Sequence, residues 1–415
     1  MAPPMGMERY DYLIVGGGIA GVSAAEAIRS RDAAGMIAII SREPHMPYSR
    51  VLLPSYVKGR IGRERLFLRT GEKFADAGID FFSETEAISV DAARRRVRTR
   101  ERGMFSFGKL LIASGGKVRD WPHGGEAKRI YRLQTIEDAD TLVSDMPQIR
   151  EPLIVGSSFI ALEFMEIFLA HGIVPRLLSP DARFFQGMLN REGGVLLQEN
   201  CARRGVKFFF NEHIAAVEER GGAWEVATAR GAVIRADALA PGIGIERAVG
   251  FLRESGVTLG ERGVKTDENL ETNIKGIFAA GDAAEYFDPL ALRHRISGNW
   301  TNAVMQGTRA GLNMAGEKLP YRHVPMYSIK NLGFDIAAIG ECADGFETVS
   351  RRDPDGARYE RFFLEGGAIA GAFLINGIRD KSHISSLVAG KVPIGRYRAS
   401  LGDPGFDIHA VPLIK

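Results

Sequence analysis

The first residues able to do chemistry are glycines. Gly16, Gly18 and Gly21 fall on a G-x-G-x-x-G spacing directly behind the apolar run Tyr12 to Val15. That spacing suits a pyrophosphate. The first glycine permits a tight turn, the second lets a phosphate approach the backbone, and the third lets a helix pack on a strand. Around Ile19 and Ala20 the N–H groups of the helix start face the anion with a partial positive charge. An acidic side chain about 20 positions further on holds ribose hydroxyls in such units, and Glu43 occupies that place. Arg50 follows on the Pro-punctuated stretch His45 to Pro54, which cannot be a regular helix. An arginine on such a loop suits a phosphate or a flavin edge.

A second set of chemical residues repeats the first. Leu153-Ile-Val-Gly156 is identical to Leu13-Ile-Val-Gly16, but Ser158 stands at the second glycine position and Ala161 at the third. Alanine at the third place is tolerated, whereas serine at the second narrows the approach to the backbone. The spacing points to a nicotinamide nucleotide; the rival reading is a retained fold with no working nucleotide site. Its ribose end offers Ser179 and Asp181, with Arg176 and Arg183 nearby. Asp181 parallels Glu43, which favours NAD and leaves NADP open. Further on, Asp282 ends the run Ile277-Phe-Ala-Ala-Gly281-Asp282 and can accept from a polyol hydroxyl of the cofactor. The run Trp300-Thr301 to Gly311 reads as a helix whose N-terminus can stabilise negative charge on a reduced flavin ring.

The elements that must position these residues form two modules of one plan. In the first, the strand before Gly16, a helix over Val22 to Ile28 and a buried strand over Met36 to Ile40 make a βαβ unit. Strands at Glu86 to Val90, Arg94 to Thr99 and Met104 to Ile112 form a meander. The last of them runs through Ala113 and Ser114 into the turn Gly115-Gly116. The arginine run from Arg94 to Arg102 lies in this meander. Its alternation with Val97 and Thr99 makes it a hairpin with one wet face, and a docking patch for an acidic partner is the sharper alternative. In the second module a helix (Ile160 to Ala170) and a strand (Val174 to Leu178) follow Gly156. Strands at Val206 to Phe210, His213 to Val217, Trp224 to Thr228 and Ala238 to Ala240 then end in Pro241-Gly-Ile-Gly244. After Gly281-Asp282 a helix is expected from Ala283. Residues 325–415 read as a small α+β domain, with strands at Ile336 to Gly340, Tyr359 to Phe363 and Ala368 to Ile375 and a helix near Ser382 to Ala389.

Bulk composition narrows the function. At 415 residues the chain exceeds one ordinary core. It is 45% hydrophobic and 25% charged, as soluble globular proteins are. With 54 basic and 51 acidic residues the net charge is +3, which is no nucleic-acid signature. The two cysteines, Cys201 and Cys342, are too far apart in sequence for a CxxC pair and too few for a metal or cluster cage. Cys342 is expected to be structural. No metal site, membrane span or signal peptide is expected, and the protein reads as cytoplasmic.

Together these residues resemble the two-dinucleotide-binding-domain flavoproteins, which hold FAD and NAD(P)H in separate Rossmann-like domains. The marks are Gly16-x-Gly18-x-x-Gly21, Pro47-Tyr48-x-Arg50, Leu111-Ile-Ala-Ser-Gly115, Gly156 with Ile160-Ala-Leu-Glu163, Ile277 to Asp282, and Trp300-x-x-Ala303-x-x-Gln306-Gly307. The chain is most similar to ferredoxin and rubredoxin reductases, to the flavin module of nitrite reductases, and to FAD subunits of anaerobic aldehyde or 2-oxo acid oxidoreductase complexes.

The resemblance implies an α/β fold with two Rossmann-like, three-layer ββα domains and a small α+β C-terminal domain. FAD would occupy residues 1–118 and 248–324, NAD(P) residues 119–247, and residues 325–415 would form an interface-type domain. FAD would lie along Gly16 to Gly21, Glu43, Arg50, Ala113, Ser114, Gly115, Gly281 and Asp282, with its ring against Trp300 and Thr301. NAD would use Gly156, Ser158, Asp181 and Gly244, and Glu163 would stand near the nicotinamide. The family's lysine after the P-Y-x-R segment is absent from its usual place, where Leu53, Pro54 and Ser55 stand, so a Lys–Glu pair is not to be assumed. The family's redox cysteines are absent too. The implied activity is hydride exchange between NAD(H) and FAD, with electrons passed to an iron–sulfur or rubredoxin-type partner, in a hetero-complex or a homodimer. An NADH oxidase reducing dioxygen, and a flavin relay subunit without a working nicotinamide site, fit the same residues.

Overall fold

A run with no polar residue, such as Leu13 to Val15, suits a parallel strand covered on both faces. In the computed structural model, which describes residues 8–124 and 129–413, this strand spans Glu8–Val15. It lies between the parallel strands Ile37–Ile40 and Met104–Ile112. Ile79–Phe82 extends the sheet on one side, and Ile277–Ala279 pairs with Met104–Ile112. Alternate side chains go to opposite layers. Tyr12, Ile14, Ile37, Ile39 and Leu111 share a core with Ala20, Ala24 and Ile28 of the helix Ile19–Arg29 and with Met314 of the helix Trp300–Met314. Leu13, Val15, Ala38, Ile40, Leu110 and Ile112 share another with Val90, Val97 and Phe105 of the meander. The result is the expected helix, parallel sheet and antiparallel layer.

The second module repeats these layers. Its parallel sheet runs Lys207–Phe210, Arg176–Ser179, Pro152–Val155, Ala238–Pro241. An antiparallel sheet of Ile214–Arg220, Ala223–Thr228 and Val233–Ala236 covers one face, packing Trp224, Val226 and Ile234 on Leu153, Val155 and Leu239. Residues from Met326 on form a five-stranded antiparallel sheet with a helix, Lys381–Ala389, on it. Buried ion pairs brace that sheet: Arg351 to Glu360 at 2.5 Å and Arg358 to Asp380 at 2.6 Å. Arg351 also donates to the Phe406 carbonyl at 2.7 Å, holding the C-terminal segment.

By internal contacts the chain divides into two units. One holds the residues up to Val51, Arg63–Lys117 and Ile245–His323. The other holds Leu52–Gly62, Val118–Gly244 and the residues from Val324 on.

Two expected elements differ. The strand at Val206 to Phe210 belongs to the parallel nucleotide sheet rather than to the meander. A short apolar run reads alike in either setting, and only its partner distinguishes them. Beyond Asp282 the chain forms a strand, Ala284–Asp288, instead of a helix. Its aromatic Tyr286 and Phe287 favour a sheet surface, and Tyr286 is fully buried there.

Part of the arginine run is engaged locally. Val97 and Thr99 are buried while Arg98 is exposed. Arg94 pairs with Asp91 at 3.0 Å and Arg100 with Glu86 at 2.8 Å. Arg102 lies over the Phe82 ring, 5.0 Å from its centre. No helix of the described residues is long and apolar enough to cross a membrane.

Candidate functional site

The first unit shapes an anion cradle from backbone alone. Gly16 has φ +122°, and a Cβ there would stand 2.1 Å from the Ala113 carbonyl oxygen. At Gly21 a Cβ would meet the Gly16 carbonyl oxygen at 2.1 Å. No side chain larger than hydrogen fits either place. Gly18 is the N-cap of the helix, extended at φ −75° and ψ 179°, and no side chain caps it. Open space lies where its Cβ would point. The first helical bond runs from Val22 N–H to the Gly18 carbonyl, at 3.1 Å. The N–H groups of Ile19, Ala20 and Gly21 thus have no partner in the helix, as at any helix start.

Side chains gather around this turn. Glu43 accepts from the Tyr48 hydroxyl and from the Arg50 guanidinium, both at 2.5 Å. Arg50 therefore orients the proposed ribose acceptor, and the negative charges of Glu43 and Asp282 favour its charged form. Ala113 N–H donates to the Val15 carbonyl at 2.8 Å, and the Gly115 carbonyl accepts from Ala248 at 3.0 Å. Between them the Ser114 hydroxyl is buried with no partner among the described residues.

Asp282 follows Gly281 (φ +71°), whose N–H is held by the buried Gln306 side chain at 2.8 Å. Burial pushes the Asp282 carboxyl up, against the pull of Arg247 and Arg50. Asp282 takes no hydrogen bond from the described residues, and Arg247 Nη1 beside it is buried and unpartnered. The helix bearing Trp300 and Thr301 is capped by Asn299, which accepts from Asn302 N–H at 2.8 Å. Tyr321 donates to the Asn302 side chain at 2.5 Å, fixing the cap from below.

The second unit builds the same turn with looser parts. Gly156 has φ +115°, and its Cβ would stand 2.8 Å from the Gly242 carbonyl oxygen. Ser158 is exposed and extended at the helix N-cap, and its side chain makes no capping bond. Ala161 is fully buried. Asp181 accepts from the Ser157 hydroxyl and, at 3.4 Å, from the Ser179 hydroxyl, while Ser179 Oγ accepts from Asp181 N–H at 3.2 Å. Arg176 donates to the Arg235 and Glu151 carbonyls and Arg183 to the Leu189 carbonyl, so both serve backbone. Gly244 has φ +92°, a conformation suited to glycine.

A lysine does approach Glu163, from a later position in the chain. Lys58, three residues beyond Ser55, contacts Glu166 directly and stands 3.9 Å from Glu163. The intervening residues Leu53–Val57 form one helical turn. That turn carries the lysine forward by the rise of about one turn, so a strict sequence offset misses it. The Lys58 side chain is only 4% exposed. Arg60 reaches Glu166 at 3.5 Å, and the Asn331 amide donates to Glu166 at 3.5 Å. Burial pushes the Glu163 carboxyl up to about 7, with Lys58 opposing and Glu166 adding to the rise.

Sequence reading missed Lys58, Glu166, Asn331 and Arg247 as site residues. Glu166 had a readable signal: it lies three positions after Glu163, on the same face of the helix. Asn331 and Arg247 had none, since both arrive from distant segments. Burial pushes both thiols up to about 12, and Cys342 donates to the Ile339 carbonyl at 3.4 Å. Among the described residues no group of three or more His, Cys, Asp or Glu is arranged to hold a metal ion.

The chain is similar to known proteins. The chain is 28% identical over 402 residues to the ferredoxin reductase subunit of a 5,5'-dehydrodivanillate O-demethylase from Sphingobium sp., covering 96% of this chain and 97% of that protein. It is 28% identical over 373 residues to human apoptosis-inducing factor 3, covering 88% of this chain; it spans only 61% of that protein's length. The crystal structure of the ferredoxin reductase for the CYP199A2 system from Rhodopseudomonas palustris superposes with a TM-score of 0.88 at 22% identity. That match covers 97% of this chain and 100% of that one, and it shows a shared fold. The family model described as pyridine nucleotide-disulphide oxidoreductase matches residues 10–307, and the chain belongs to that family.

Proposed function

We propose that the protein is a cytoplasmic flavoprotein oxidoreductase that moves electrons between NAD(H) and an iron–sulfur or rubredoxin-type partner through FAD. One observation carries the reading. Two glycine turns in one chain each present an open helix start and an acidic residue at the ribose position, while Cys201 is buried and Cys342 half-buried. A dithiol route has no residues here, so electrons leave the flavin for an external acceptor. The ferredoxin reductase subunit among the relatives supports that kind of acceptor.

The first unit fits FAD. Open space at Gly18, the Ser114 hydroxyl and Arg247 Nη1, both unpartnered among the described residues, and an Asp282 with no hydrogen-bond donor are what a diphosphate and a polyol chain would complete. In this reading residues 1–118 and 248–324 hold FAD, residues 119–247 hold NAD, and residues 325–415 serve an interface. When bound, FAD supplies hydride acceptance and single-electron release. The chain's own residues bind and orient. Ile19 to Gly21 meet the pyrophosphate, Glu43 takes ribose hydroxyls, Asp282 takes the polyol chain, and the Trp300 helix start faces the ring. At the other turn Gly156, Ser158 and Gly244 leave room for the nucleotide, and Asp181 takes its ribose.

Anaerobic titration of the flavin-loaded protein tests this. NADH should bleach the flavin absorbance, and NADPH should do so far less. Addition of an oxidised ferredoxin or rubredoxin should restore the colour. Failure of both nucleotides to bleach the flavin would refute the proposal.

A further inference from the structure

One lysine here stands between two glutamates. Glu163 and Glu166 project from one face of the helix Phe159–Ala170, which begins at the Gly156 turn. Lys58 touches Glu166 and lies at the limit of ion pairing with Glu163. Glu166 also collects Arg60 and Asn331. We propose that Glu166 is a positioning residue: it anchors Lys58 and so leaves Glu163 as a carboxyl that alternates between neutral and anionic forms. In the anionic form Glu163 favours the oxidised, positively charged nicotinamide over the reduced, uncharged one. This second clause rests on the nicotinamide reading of the Gly156 turn; the first does not.

Burial and the uneven sharing of cations lead there. Two carboxylates share one buried ammonium, the second cation, Arg60, is 55% exposed and pairs with Glu166, and a buried like-charged pair keeps one member neutral. Glu166 has the firmer set of cations, so the proton goes to Glu163. The groups facing Glu163 are few. Lys58 and Arg60 come from the segment after the short helix, Glu166 from its own helix, and Tyr327 and Asn331 from the strand Met326–Asn331. Asp140, on the helix packed against Leu53–Val57, is engaged by the Tyr56 hydroxyl at 2.8 Å. Asn331 is 1% exposed, and its side-chain hydrogen bond favours the anionic form of Glu163, opposing the rise as Lys58 does. The direction of the Glu163 shift, upward to about 7, agrees. Its ionisation releases one proton to solvent, and no electron moves.

The sign of each substitution follows. Removing the negative charge of Glu166 leaves Lys58 to Glu163 alone and lowers the pH at which Glu163 ionises. Removing Lys58 raises it. The protonated carboxyl of the FAD-loaded protein is followed by infrared difference spectroscopy across pH, with no nucleotide present. A carboxyl band should titrate near neutrality, vanish in Glu163→Gln, shift its midpoint down by about one pH unit in Glu166→Gln, and shift up in Lys58→Met. Absence of a band assigned to Glu163, or a midpoint unmoved in both variants, would overturn the proposal.

Binding of NAD+ and NADH is then measured at pH 6 and pH 8. NAD+ should tighten several-fold at the higher pH while NADH changes little, and Glu163→Gln should abolish the difference. A titrating Glu163 band together with pH-independent NAD+ binding would overturn the clause on nucleotide preference. A titrating band with no binding of either nucleotide would instead refute the functional reading and leave the Glu166 assignment standing.

Discussion

The two glycine turns share a backbone path and differ in how tightly it is enforced. Gly16 and Gly156 take nearly the same φ, +122° and +115°. Both helices start from an extended N-cap without a side-chain cap. At the first turn a Cβ on Gly16 would sit 2.1 Å from a carbonyl oxygen, against 2.8 Å for one on Gly156. The first helix is also pressed from behind. Cβ atoms on Gly307 and Gly311 of the Trp300 helix would stand 2.2 Å and 2.4 Å from the Ala20 and Ala24 carbonyl oxygens. The helix behind Gly156 carries Ala161 where its counterpart has Gly21. A turn clamped on both sides admits only glycine. A turn with slack admits serine and alanine without losing its path. The eroded motif therefore marks looser packing rather than a lost fold.

The sharpest way to break this comparison is Gly16→Ala. The left-handed φ and a backbone collision with no flexible partner should cost about 4 kcal/mol or more. Gly156→Ala should cost about half as much, because its collision is milder. Thermal unfolding with flavin fluorescence reads both. The first variant should lose bound flavin, while the second should keep flavin and lose NADH binding. Equal losses would mean the turns are equally constrained.

Next in size is a pH effect confined to the second turn. Glu163 has a folded pKa raised to about 7 from an ordinary value of 4.5. The folded state therefore holds a proton that the unfolded chain releases. The stability this gives is full below pH 4.5 and is lost as pH rises through 7, on the order of 3 kcal/mol. In Glu163→Gln, denaturant midpoints should lose that part of their dependence across this window.

Gly311→Ala should come third, at about 2 kcal/mol, through the clash with the Ala24 carbonyl. Flavin retention should fall while NADH binding to the second unit stays. Smallest are Ser158→Gly and the pair Cys201→Ser and Cys342→Ser. Ser158 is exposed and caps nothing, so Ser158→Gly should move stability by no more than about 0.5 kcal/mol and tighten NADH a few-fold at most. NADH-driven bleaching should persist in both cysteine variants. Its loss would place a thiol in the electron path.

Much of the first turn was legible because its constraints are local. Gly16, Gly18 and Gly21 lie within one turn of chain, and the steric reasons for glycine there are carried by neighbouring peptide units. The repeat at Gly156 and the paired Rossmann-like layers were legible for the same reason, as strand periodicity and strand–turn–helix spacing are short-range. What escaped was long-range or depended on a partner. Whether Val206 to Phe210 joined the parallel sheet depended on Arg176–Ser179 beside it. Arg247 reaches Asp282 from 35 positions away.

Two nucleotide-type turns, their acidic ribose candidates and the lack of a cysteine pair could be read along the chain, since each follows from residue identity and spacing. How the charges are shared emerges only on folding. Lys58 meets Glu163 and Glu166 because a single helical turn, Leu53–Val57, carries it to the helix behind Gly156. Asn331 comes to the same place from the far end of the chain. Charge pairing depends on separation in space, and burial then decides which carboxyl keeps its proton. Neither quantity is written in the spacing of residues along the chain.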